Sequence, residues 1–382
     1  MRSARLSDLV LSDIRVMTRE CNRVAGINMA QGLCDLPTPT FVAQAACRAI
    51  ERGASSYSYA EGAERLRVAL AQKLARDNRL SADPQRELMI AVGATGAYTA
   101  AITALLDPGD GVLLLEPYYG YHLNAAIVAG VEPQFLTLAA PDFRLEESAL
   151  RSAIKANTRA IVLCTPANPC GRMLDQAEID LVARLANAHD LLVITDEIYE
   201  YIRFDDRPHL SPAARDDLRS RTVTIGGASK TFSVTGWRIG WACAPAEMIR
   251  SMTLVHDINY VCAPTPLQLA IADALETSTE YFSELARDYQ GKRDKLADAL
   301  SRAGLSPLIP EGAYYMLADV SALGCQTAKQ AAMLLLERTK VATVPGSAFF
   351  NGSTGESLVR FCFSKSDQDL DQACRALSAL SA

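Results

Sequence analysis

One segment of the chain combines a lysine, an arginine and a turn rich in glycine, serine and threonine. It reads GASKTFSVTGWRIG over residues 227–240 and places Lys230 eight residues before Arg238. A lysine in a desolvated, cation-rich site loses proton affinity and becomes a nucleophile toward carbonyl carbon. A surface lysine in a loop is the simpler interpretation, and the GxxxxGK[ST] spacing of a phosphate-binding P-loop is missing.

Three further segments place polar groups directly after apolar runs. Asp196 and Tyr199 follow the run LLVIT, Asn168 lies in the turn TPANPCG, and the turn GATG at 93–96 leads from an apolar run into a helical pattern. An acid after a strand often only caps a helix, and NPxG is an ordinary turn sequence. A helix N-terminus, however, offers free N–H groups and a positive dipole end to a phosphate.

Arg360 lies within the apolar run LVRFCF at 358–363. A planar guanidinium binds a carboxylate through two hydrogen bonds and so fixes its orientation. An isolated arginine in a strand is more often an edge charge, so this residue alone leaves both interpretations open.

Short apolar runs alternate with helix-length segments through the middle of the chain, and this pattern predicts the elements that must position these groups. Candidate strands cover residues 88–92, 112–115, 134–138, 160–164, 191–195, 222–225 and 240–244. Candidate helices cover residues 95–106, 120–129, 146–155 and 175–188. We therefore predict an α/β fold with a mostly parallel, seven-stranded sheet covered by helices, and ligands at the carboxyl ends of its strands.

The C-terminal part has a different pattern, which predicts a smaller α+β domain. Candidate helices cover residues 278–303, 327–338 and 367–380, and candidate strands cover residues 315–319, 341–345 and 358–363. We expect a large domain over residues 46–280. Residues 1–45 and 281–382 are expected to form the small domain together.

Composition excludes several classes of function. The chain has 382 residues, 49% of them hydrophobic, and a net charge of −6, which fits a globular protein with a sizeable core rather than a binder of nucleic acid or membrane surfaces. The ten cysteines form no CxxC pair and the four histidines have no ligand spacing, so we expect buried thiols and no metal site. The N-terminal residues MRSARLSDLV lack an apolar signal region, and no apolar window reaches 18 residues, which predicts a cytoplasmic protein.

Residues 227–240 resemble, position by position, the lysine-attachment signature of class I/II aminotransferases, which are pyridoxal-phosphate enzymes of fold type I. The resemblance extends from about Asn28 to Phe363, and the kynurenine/glutamine transaminase and aspartate aminotransferase-like branch is the most similar. It implies that Lys230 forms a Schiff base with pyridoxal 5'-phosphate and that Arg238 binds the phosphate. It further implies that Asp196 faces the ring nitrogen, while Tyr199 and Asn168 bond the phenolic oxygen.

The same resemblance implies further cofactor contacts. The phosphate cup would comprise Gly93, Ala94, Thr95 and Ser229, and Tyr119, with Tyr118 as the alternative, would stack on the ring. Relatives also carry a serine three residues before the lysine, where this chain has Gly227, so one phosphate hydrogen bond is expected to be missing.

The substrate and the second subunit are implied in the same way. Arg360, Asn168 and Gly32 match the positions that hold the substrate α-carboxylate, although Cys34 replaces a proline that is usual nearby. Tyr57 matches a tyrosine that reaches the phosphate of the other subunit, which implies an obligatory homodimer with shared active sites.

The resemblance implies that the chain exchanges the amino group of an L-amino acid with a 2-oxo acid by a ping-pong mechanism. No second arginine for an acidic side chain is evident, and tyrosines at 57, 118, 119 and 260 are candidates for lining a pocket, so neutral, aromatic or sulfur-containing amino acids are favoured. A carbon–sulfur β-lyase and an aspartate aminotransferase fit most of the same residues. A pyridoxal-phosphate-binding regulator is a remote alternative, because it would need a DNA-binding domain before residue 28.

Overall fold

The computed structural model describes residues 6, 9, 12–32, 34–276 and 279–381, so Ser278, the expected start of the long C-terminal helix, and most of the first eleven residues lie outside it. The strands are β1 Ile27–Asn28, β2 Leu88–Val92, β3 Gly111–Glu116, β4 Glu132–Thr137, β5 Thr158–Cys164, β6 Leu192–Asp196, β7 Thr222–Gly227, β8 Ile239–Cys243, β9 Ser306–Leu308, β10 Tyr315–Asp319, β11 Val341–Ala342, β12 Val344–Pro345 and β13 Leu358–Cys362. The helices are α1 Asp13–Arg23, α2 Thr40–Glu51, α3 Glu64–Asp77, α4 Gly93–Leu105, α5 Gly120–Ala129, α6 Glu147–Ala153, α7 Gln176–Ala188, α8 Asp216–Arg219, α9 Ala228–Thr231, α10 Ala246–Tyr260, α11 Thr265–Leu275, α12 Thr279–Arg302, α13 Ala328–Thr339 and α14 Asp367–Ser378. Within these described ranges, no helix is both long enough and apolar enough to cross a membrane.

A seven-stranded sheet forms the centre of the molecule and confirms the predicted α/β architecture. Its strand order is β2-β8-β7-β6-β5-β3-β4. Strand β8 runs antiparallel to both of its neighbours, whereas the other pairings are parallel. Parallel strands need helical crossovers, which explains why helices separate most of these strands along the chain.

Both faces of this sheet are covered, and β5 shows why its residues 160–164 form an apolar run. Ala160 and Val162 pack with residues of α4 and α10 on one face. Ile161 and Leu163 pack with residues of α7 on the opposite face. Because successive side chains of a strand point to opposite faces, a strand buried on both sides reads as a continuous apolar run.

The carboxyl ends of β2, β3, β5, β6 and β7 lie at one edge of the sheet, and the antiparallel β8 begins at that edge. The junction between β2 and β8 is held by the backbone N–H of Gly93, which donates to the carbonyl oxygen of Arg238 at 2.9 Å. The residues that follow β2, β3, β5, β6 and β7, and those that precede β8, therefore lie close together at this edge of the sheet.

The C-terminal part forms a second sheet of order β12-β13-β10-β9 and a small sheet of β1 and β11. The run 341–345 was expected to be one strand, and that prediction is wrong. Its first half pairs in parallel with β1, whereas its second half pairs with β13. The chain crosses between two sheets at Thr343, and an apolar run alone carries no information about such a crossing.

A buried polar network supports the segment that follows β6. Lys73, which is 1% exposed, forms an ion pair with Glu200, and its Nζ donates to Asn78 Oδ1 at 2.7 Å. Asn78 Nδ2 donates to Glu200 at 2.9 Å, and His209 Nε2 lies 2.7 Å from Glu197. The network ties α3 to the segment that directly follows Asp196 and so fixes the end of β6.

We expect Lys73→Met to lower the free energy of unfolding by about 3–5 kcal/mol, because it leaves the Glu200 carboxylate buried without its cation. Urea denaturation of the purified protein measures the loss. The double variant Lys73→Met/Glu200→Leu should recover most of the stability, because the pair is then replaced by apolar groups. A loss below about 1 kcal/mol for the single variant would show that the pair is not needed.

Candidate functional site

A cavity of about 560 Å³ opens between the carboxyl edge of the seven-stranded sheet and the C-terminal sheet. Most of the residues predicted from the sequence line it, namely Gly32, Ala94, Thr95, Tyr119, Asn168, Asp196, Tyr199, Ser229, Lys230, Arg238 and Arg360. These residues come from both ends of the chain and from its middle, so the cavity exists only in the folded molecule.

Lys230 lies on α9, the single helical turn that begins directly after β7. Its Nζ donates to the carbonyl oxygen of Gly32 at 3.3 Å, and the ring centres of Tyr314 and Tyr199 lie 5.5 and 6.0 Å away. Burial lowers the pKa of the Lys230 amine below its ordinary value, and the nearby Arg238 acts in the same direction. Burial therefore makes the neutral, nucleophilic form of this amine easier to reach than it is for an exposed lysine.

Asp196 is the last residue of β6 and is 7% exposed. Its Oδ2 lies 3.1 Å from His122 Nε2, and its Oδ1 accepts a hydrogen bond from the backbone N–H of Ile198 at 3.2 Å. The hydrogen bond from Ile198 closes a local turn. Asp196 therefore does not cap a helix, which was the other role that its place after a strand allowed. His122 orients the carboxylate from α5, the helix that follows β3.

Two tyrosine hydroxyls meet beside the lysine. The Tyr199 hydroxyl donates to the Tyr315 hydroxyl at 3.2 Å, and their rings are arranged edge to face. Burial raises the pKa of the Tyr199 phenol well above its ordinary value, and burial raises that of Tyr315 to about 12. Both phenols therefore stay protonated at neutral pH, and the one proton of the Tyr199 hydroxyl is directed at Tyr315.

Arg360 lies in the middle of β13 and is only 1% exposed. Its Nη1 donates to Asn168 Oδ1 at 2.9 Å and its Nη2 to the carbonyl oxygen of Ala30 at 2.7 Å. Its guanidinium carbon lies 4.2 Å from the ring centre of Tyr315, while its buried Nε has no hydrogen-bond partner. Among the described residues, no carboxylate forms an ion pair with this buried cation.

The start of α4 and Arg238 form the opposite end of the cavity. Gly93 has a φ of +71°, and a Cβ there would lie 2.4 Å from Nη2 of Arg238, so a side chain would displace the guanidinium. Arg238 Nη1 donates to the carbonyl oxygen of Thr235 at 3.1 Å. The free N–H groups of the helix N-terminus and this guanidinium together suit an anion.

Gly32 is required by close packing, because a Cβ at that position would lie 1.9 Å from the Tyr315 hydroxyl oxygen. Nearby, the Cys34 thiol lies 3.3 Å from the Tyr289 hydroxyl and accepts a contact of 3.3 Å from Ser364 Oγ. The residue that replaces the usual proline is thus held by polar contacts. No disulfide involves Cys34, whose thiol is half-buried.

The predicted tyrosines have different positions. Tyr119 lines the cavity and stacks on Tyr121 with ring centres 5.2 Å apart. Tyr118 instead packs on Phe135, with ring centres 5.7 Å apart, and does not line this cavity. Tyr57 is 81% exposed and Tyr260 is 43% exposed, and neither lines this cavity within one chain.

Four further residues that line the cavity are not predicted from the sequence, namely His122, Tyr315, Tyr98 and Arg15. His122 follows β3 in the same segment as Tyr119, so its place at the carboxyl edge is the one signal that points to it. The contact between Tyr199 and Tyr315 joins residues 116 positions apart and has no local signature. Across the described ranges, no group of three or more histidine, cysteine, aspartate or glutamate side chains is arranged to hold a metal ion.

The lowered pKa of Lys230 predicts enhanced amine reactivity near neutral pH. Only the unprotonated amine is nucleophilic, so the rate of reductive methylation of Lys230 should rise with pH and reach half of its maximum below the value of about 10.4 of an ordinary lysine. Peptide mass spectrometry of the protein labelled at different pH values measures the profile, with N-acetyl-lysine amide as the control. A midpoint equal to that of the control would contradict the effect of burial.

Comparison with known proteins agrees with this site. Residues 24–377 match the model of the family described as aminotransferase class I and II. The solved structure of N-succinyldiaminopimelate aminotransferase from Mycobacterium tuberculosis superposes with a TM-score of 0.96 at 36% identity, with 100% of each chain covered.

Two other relatives extend the comparison. Aspartate aminotransferase from Thermus thermophilus, solved with maleate, has a TM-score of 0.92 at 32% identity, with 100% of each chain covered. Kynurenine–oxoglutarate transaminase 3 of Mus musculus is 32% identical over 91% of this chain and 83% of its own length. The predicted family and its branch are confirmed, and the chain belongs to the class I and II aminotransferases, which are pyridoxal-phosphate-dependent enzymes.

Proposed function

We propose that this aminotransferase takes the amino group from an L-α-amino acid with a neutral, aromatic or sulfur-containing side chain and passes it to a 2-oxo acid at the same site. The observation that carries the proposal is Arg360, a buried guanidinium whose hydrogen bonds go to amide and carbonyl oxygens. A buried cation without a carboxylate partner is stabilised by an anionic ligand. The α-carboxylate common to amino acids and 2-oxo acids fits it through two parallel hydrogen bonds.

The preference for donors rests on the aromatic lining of the cavity. Rings of Tyr98, Tyr119, Tyr121 and Tyr315 line it. Aromatic rings offer flat apolar surface to rings, thioethers and aliphatic chains. The relatives reported above act on different amino acids according to their names, so the family leaves the donor open and the lining favours apolar side chains.

The residues around the cavity fit pyridoxal phosphate. The Arg238 guanidinium, which lies against Gly93, and the N-terminus of α4 suit a phosphate, and the amine of Lys230 suits the aldehyde. We assign attachment to Lys230, the ring nitrogen to Asp196, and the phenolic oxygen to Tyr199 and Asn168. The phosphate is assigned to Gly93, Ala94, Thr95, Ser229 and Arg238, ring stacking to Tyr119, and the substrate carboxylate to Arg360, Asn168 and Gly32.

Pyridoxal phosphate, when bound, supplies an electron sink for the negative charge that develops at the substrate Cα. Asp196, oriented by His122, holds a proton on the ring nitrogen through its carboxylate. The Lys230 amine, whose pKa is lowered by burial, accepts the Cα proton as a general base in its unprotonated form once the substrate is held. Arg360 and Asn168 fix the α-carboxylate, so that the Cα–H bond faces the amine.

We also propose a homodimer in which Tyr57 reaches the partner's site. Tyr57 is 81% exposed, and the exposed apolar side chains of Leu254 and Ile258 lie on α10 at 64% and 85% exposure. The loop of Tyr57 is tied to the start of α11 by Thr265 Oγ1, which donates to the carbonyl oxygen of Ser56 at 2.7 Å. Exposed apolar groups of this size favour an interface. We further propose that residues 46–280 form the large domain, and that residues 1–45 and 281–382 together form the small one. Lys230 of the large domain and Arg360 of the small domain would then lie on opposite sides of the substrate.

The Lys230→Ala variant tests the reaction. We expect its amino-transfer rate to fall by at least about 100-fold, because the general base is lost, and the absorbance of lysine-bound cofactor to disappear. Each variant is assayed with a panel of amino donors and a 2-oxo acid, and Lys329→Ala, an exposed lysine on α13, is the matched control. Full activity of Lys230→Ala would overturn the assignment. Release of pyruvate and ammonia from a cysteine conjugate without any 2-oxo acid would identify a β-lyase instead.

Subunit complementation tests the shared site. Tyr57→Ala and Lys230→Ala homodimers should each be impaired. In a hybrid dimer, the intact Lys230 of one subunit would meet the intact Tyr57 of the other, so one of two symmetric sites is complete and about half of the wild-type activity returns. Activity of differently tagged, co-expressed and purified hybrids measures this. Hybrids no more active than their parents would show that Tyr57 does not act across an interface.

A further inference from the structure

His256 is a buried titratable group that the proposed chemistry does not use. It lies on α10, is 0% exposed and does not line the cavity. Its Nε2 accepts a hydrogen bond of 3.0 Å from the backbone N–H of Val92, the residue directly before Gly93. The contact joins positions 164 residues apart and reaches the junction between β2 and α4. A ring outside the cavity therefore holds the backbone from which the turn assigned to the phosphate begins.

Val92 needs an acceptor from outside the sheet because β2 is an edge strand. Every second N–H of an edge strand points away from the neighbouring strand, which here is β8. The N–H of Ile90 donates to the carbonyl oxygen of Glu61 at 2.9 Å, and the N–H of Val92, two residues further on, donates to His256. The imidazole thus satisfies the last outward N–H of β2, in the place of a further strand.

This hydrogen bond also fixes the state of the imidazole. A ring nitrogen that accepts from an N–H must be unprotonated, so the ring is neutral and carries its proton on Nδ1. Burial lowers the pKa of His256, which keeps Nε2 available as an acceptor, although Asp257 acts in the opposite direction. Nδ1 is buried and has no hydrogen-bond partner among the described residues. Within the described part of the chain, the bond to Val92 is thus the one hydrogen bond that this ring makes.

The turn at Val92 and Gly93 directs the groups that are assigned to the phosphate. Val92 has φ −72° and ψ 75° and Gly93 has φ +71°, so the backbone leaves the extended conformation of β2 within two residues. His256 holds the first of these N–H groups, and the carbonyl oxygen of the residue before β8 holds the second at 2.9 Å. The next N–H groups, of Ala94 and Thr95, lie in the first turn of α4, where an α-helix offers no internal acceptor. Their direction follows from the turn that precedes them.

We propose that His256 is a positioning residue of the phosphate site, because it holds the end of β2 so that the N–H groups at the start of α4 stay free and aligned for the phosphate. The inference rests on the proposed function and adds a residue that lies behind the site. Tyr260, one turn further along α10, supports the same place: its ring centre is 5.1 Å from that of His256, and a Cβ at Gly96 would lie 3.7 Å from its Cε2. Without the acceptor, the N–H of Val92 is left unpaired inside the protein, and the peptide must turn to find another partner.

The affinities of the full chain, freed of cofactor, for pyridoxal 5'-phosphate and for pyridoxal test this role. Both aldehydes can react with Lys230, so the ratio of the dissociation constant of pyridoxal to that of pyridoxal 5'-phosphate isolates the phosphate. In His256→Leu, we expect this ratio to fall about 3- to 10-fold, because the phosphate contacts depend on the turn. The dissociation constant of inorganic phosphate alone, measured by calorimetric titration, should rise by a similar factor. His256→Gln should keep both values near those of the wild type, because its amide oxygen can replace Nε2 as the acceptor.

Thr253→Val is the matched control, because Thr253 is buried three residues earlier on α10 and its hydroxyl has no hydrogen-bond partner among the described residues. It should leave the ratio unchanged. His256→Asn is made beside His256→Leu, because its shorter amide does not reach Val92, and circular dichroism identifies the variants that fold.

Two results would overturn the role of His256. The first is an unchanged ratio in the folded His256→Leu or His256→Asn variant, whether or not both affinities fall together. The second is a His256→Gln variant as impaired as His256→Leu, which would show that the acceptor is not what matters. A wild-type chain that binds pyridoxal as tightly as pyridoxal 5'-phosphate would instead overturn the assignment of the phosphate to the start of α4, which belongs to the proposed function.

Discussion

The structure depends on a concentration of positive charge that the protein does not neutralise by itself. Arg360 is 1% exposed and is held by an amide oxygen, a carbonyl oxygen and the face of a tyrosine ring. Asp196 is the one acidic side chain among the described residues that line the cavity, whereas three arginines and Lys230 line it. A buried unpaired charge costs several kcal/mol, so the remainder of the fold must hold these groups in place until anionic ligands arrive.

Contacts between distant parts of the chain hold this arrangement together. Arg360 and Asn168 are 192 positions apart, and their hydrogen bond joins the C-terminal sheet to the loop after β5. The segment from residue 28 to 32 lies between the two sheets and supplies carbonyl oxygens to both Arg360 and Lys230. The amine and the carboxylate-binding group are thus both hydrogen-bonded to one shared segment of backbone.

The sequence predicts the parts of this site that depend on a parallel sheet. Lys230, Asp196, Asn168 and the start of α4 follow apolar runs, and the topology of a parallel sheet brings such positions to one edge. His122, Tyr315 and Arg15 could not be predicted, because their places depend on side-chain contacts and on how α1 packs over the C-terminal sheet. The same reason explains the wrong prediction of a single strand at 341–345, where pairing partners rather than local composition decide where a strand ends.

The residues that perform the chemistry and those that meet the substrate side chain therefore have different structural origins. The first group lies at strand ends, where a change of position would disturb the sheet. The second group lies near the start of α5, at the border of the cavity, where substitution leaves the core intact. Relatives with the same fold carry the names of different amino-acid substrates. A division between a fixed centre and a replaceable border accounts for that diversity, because a new side chain on the border alters which substrate fits without altering the position of Lys230 or Arg360.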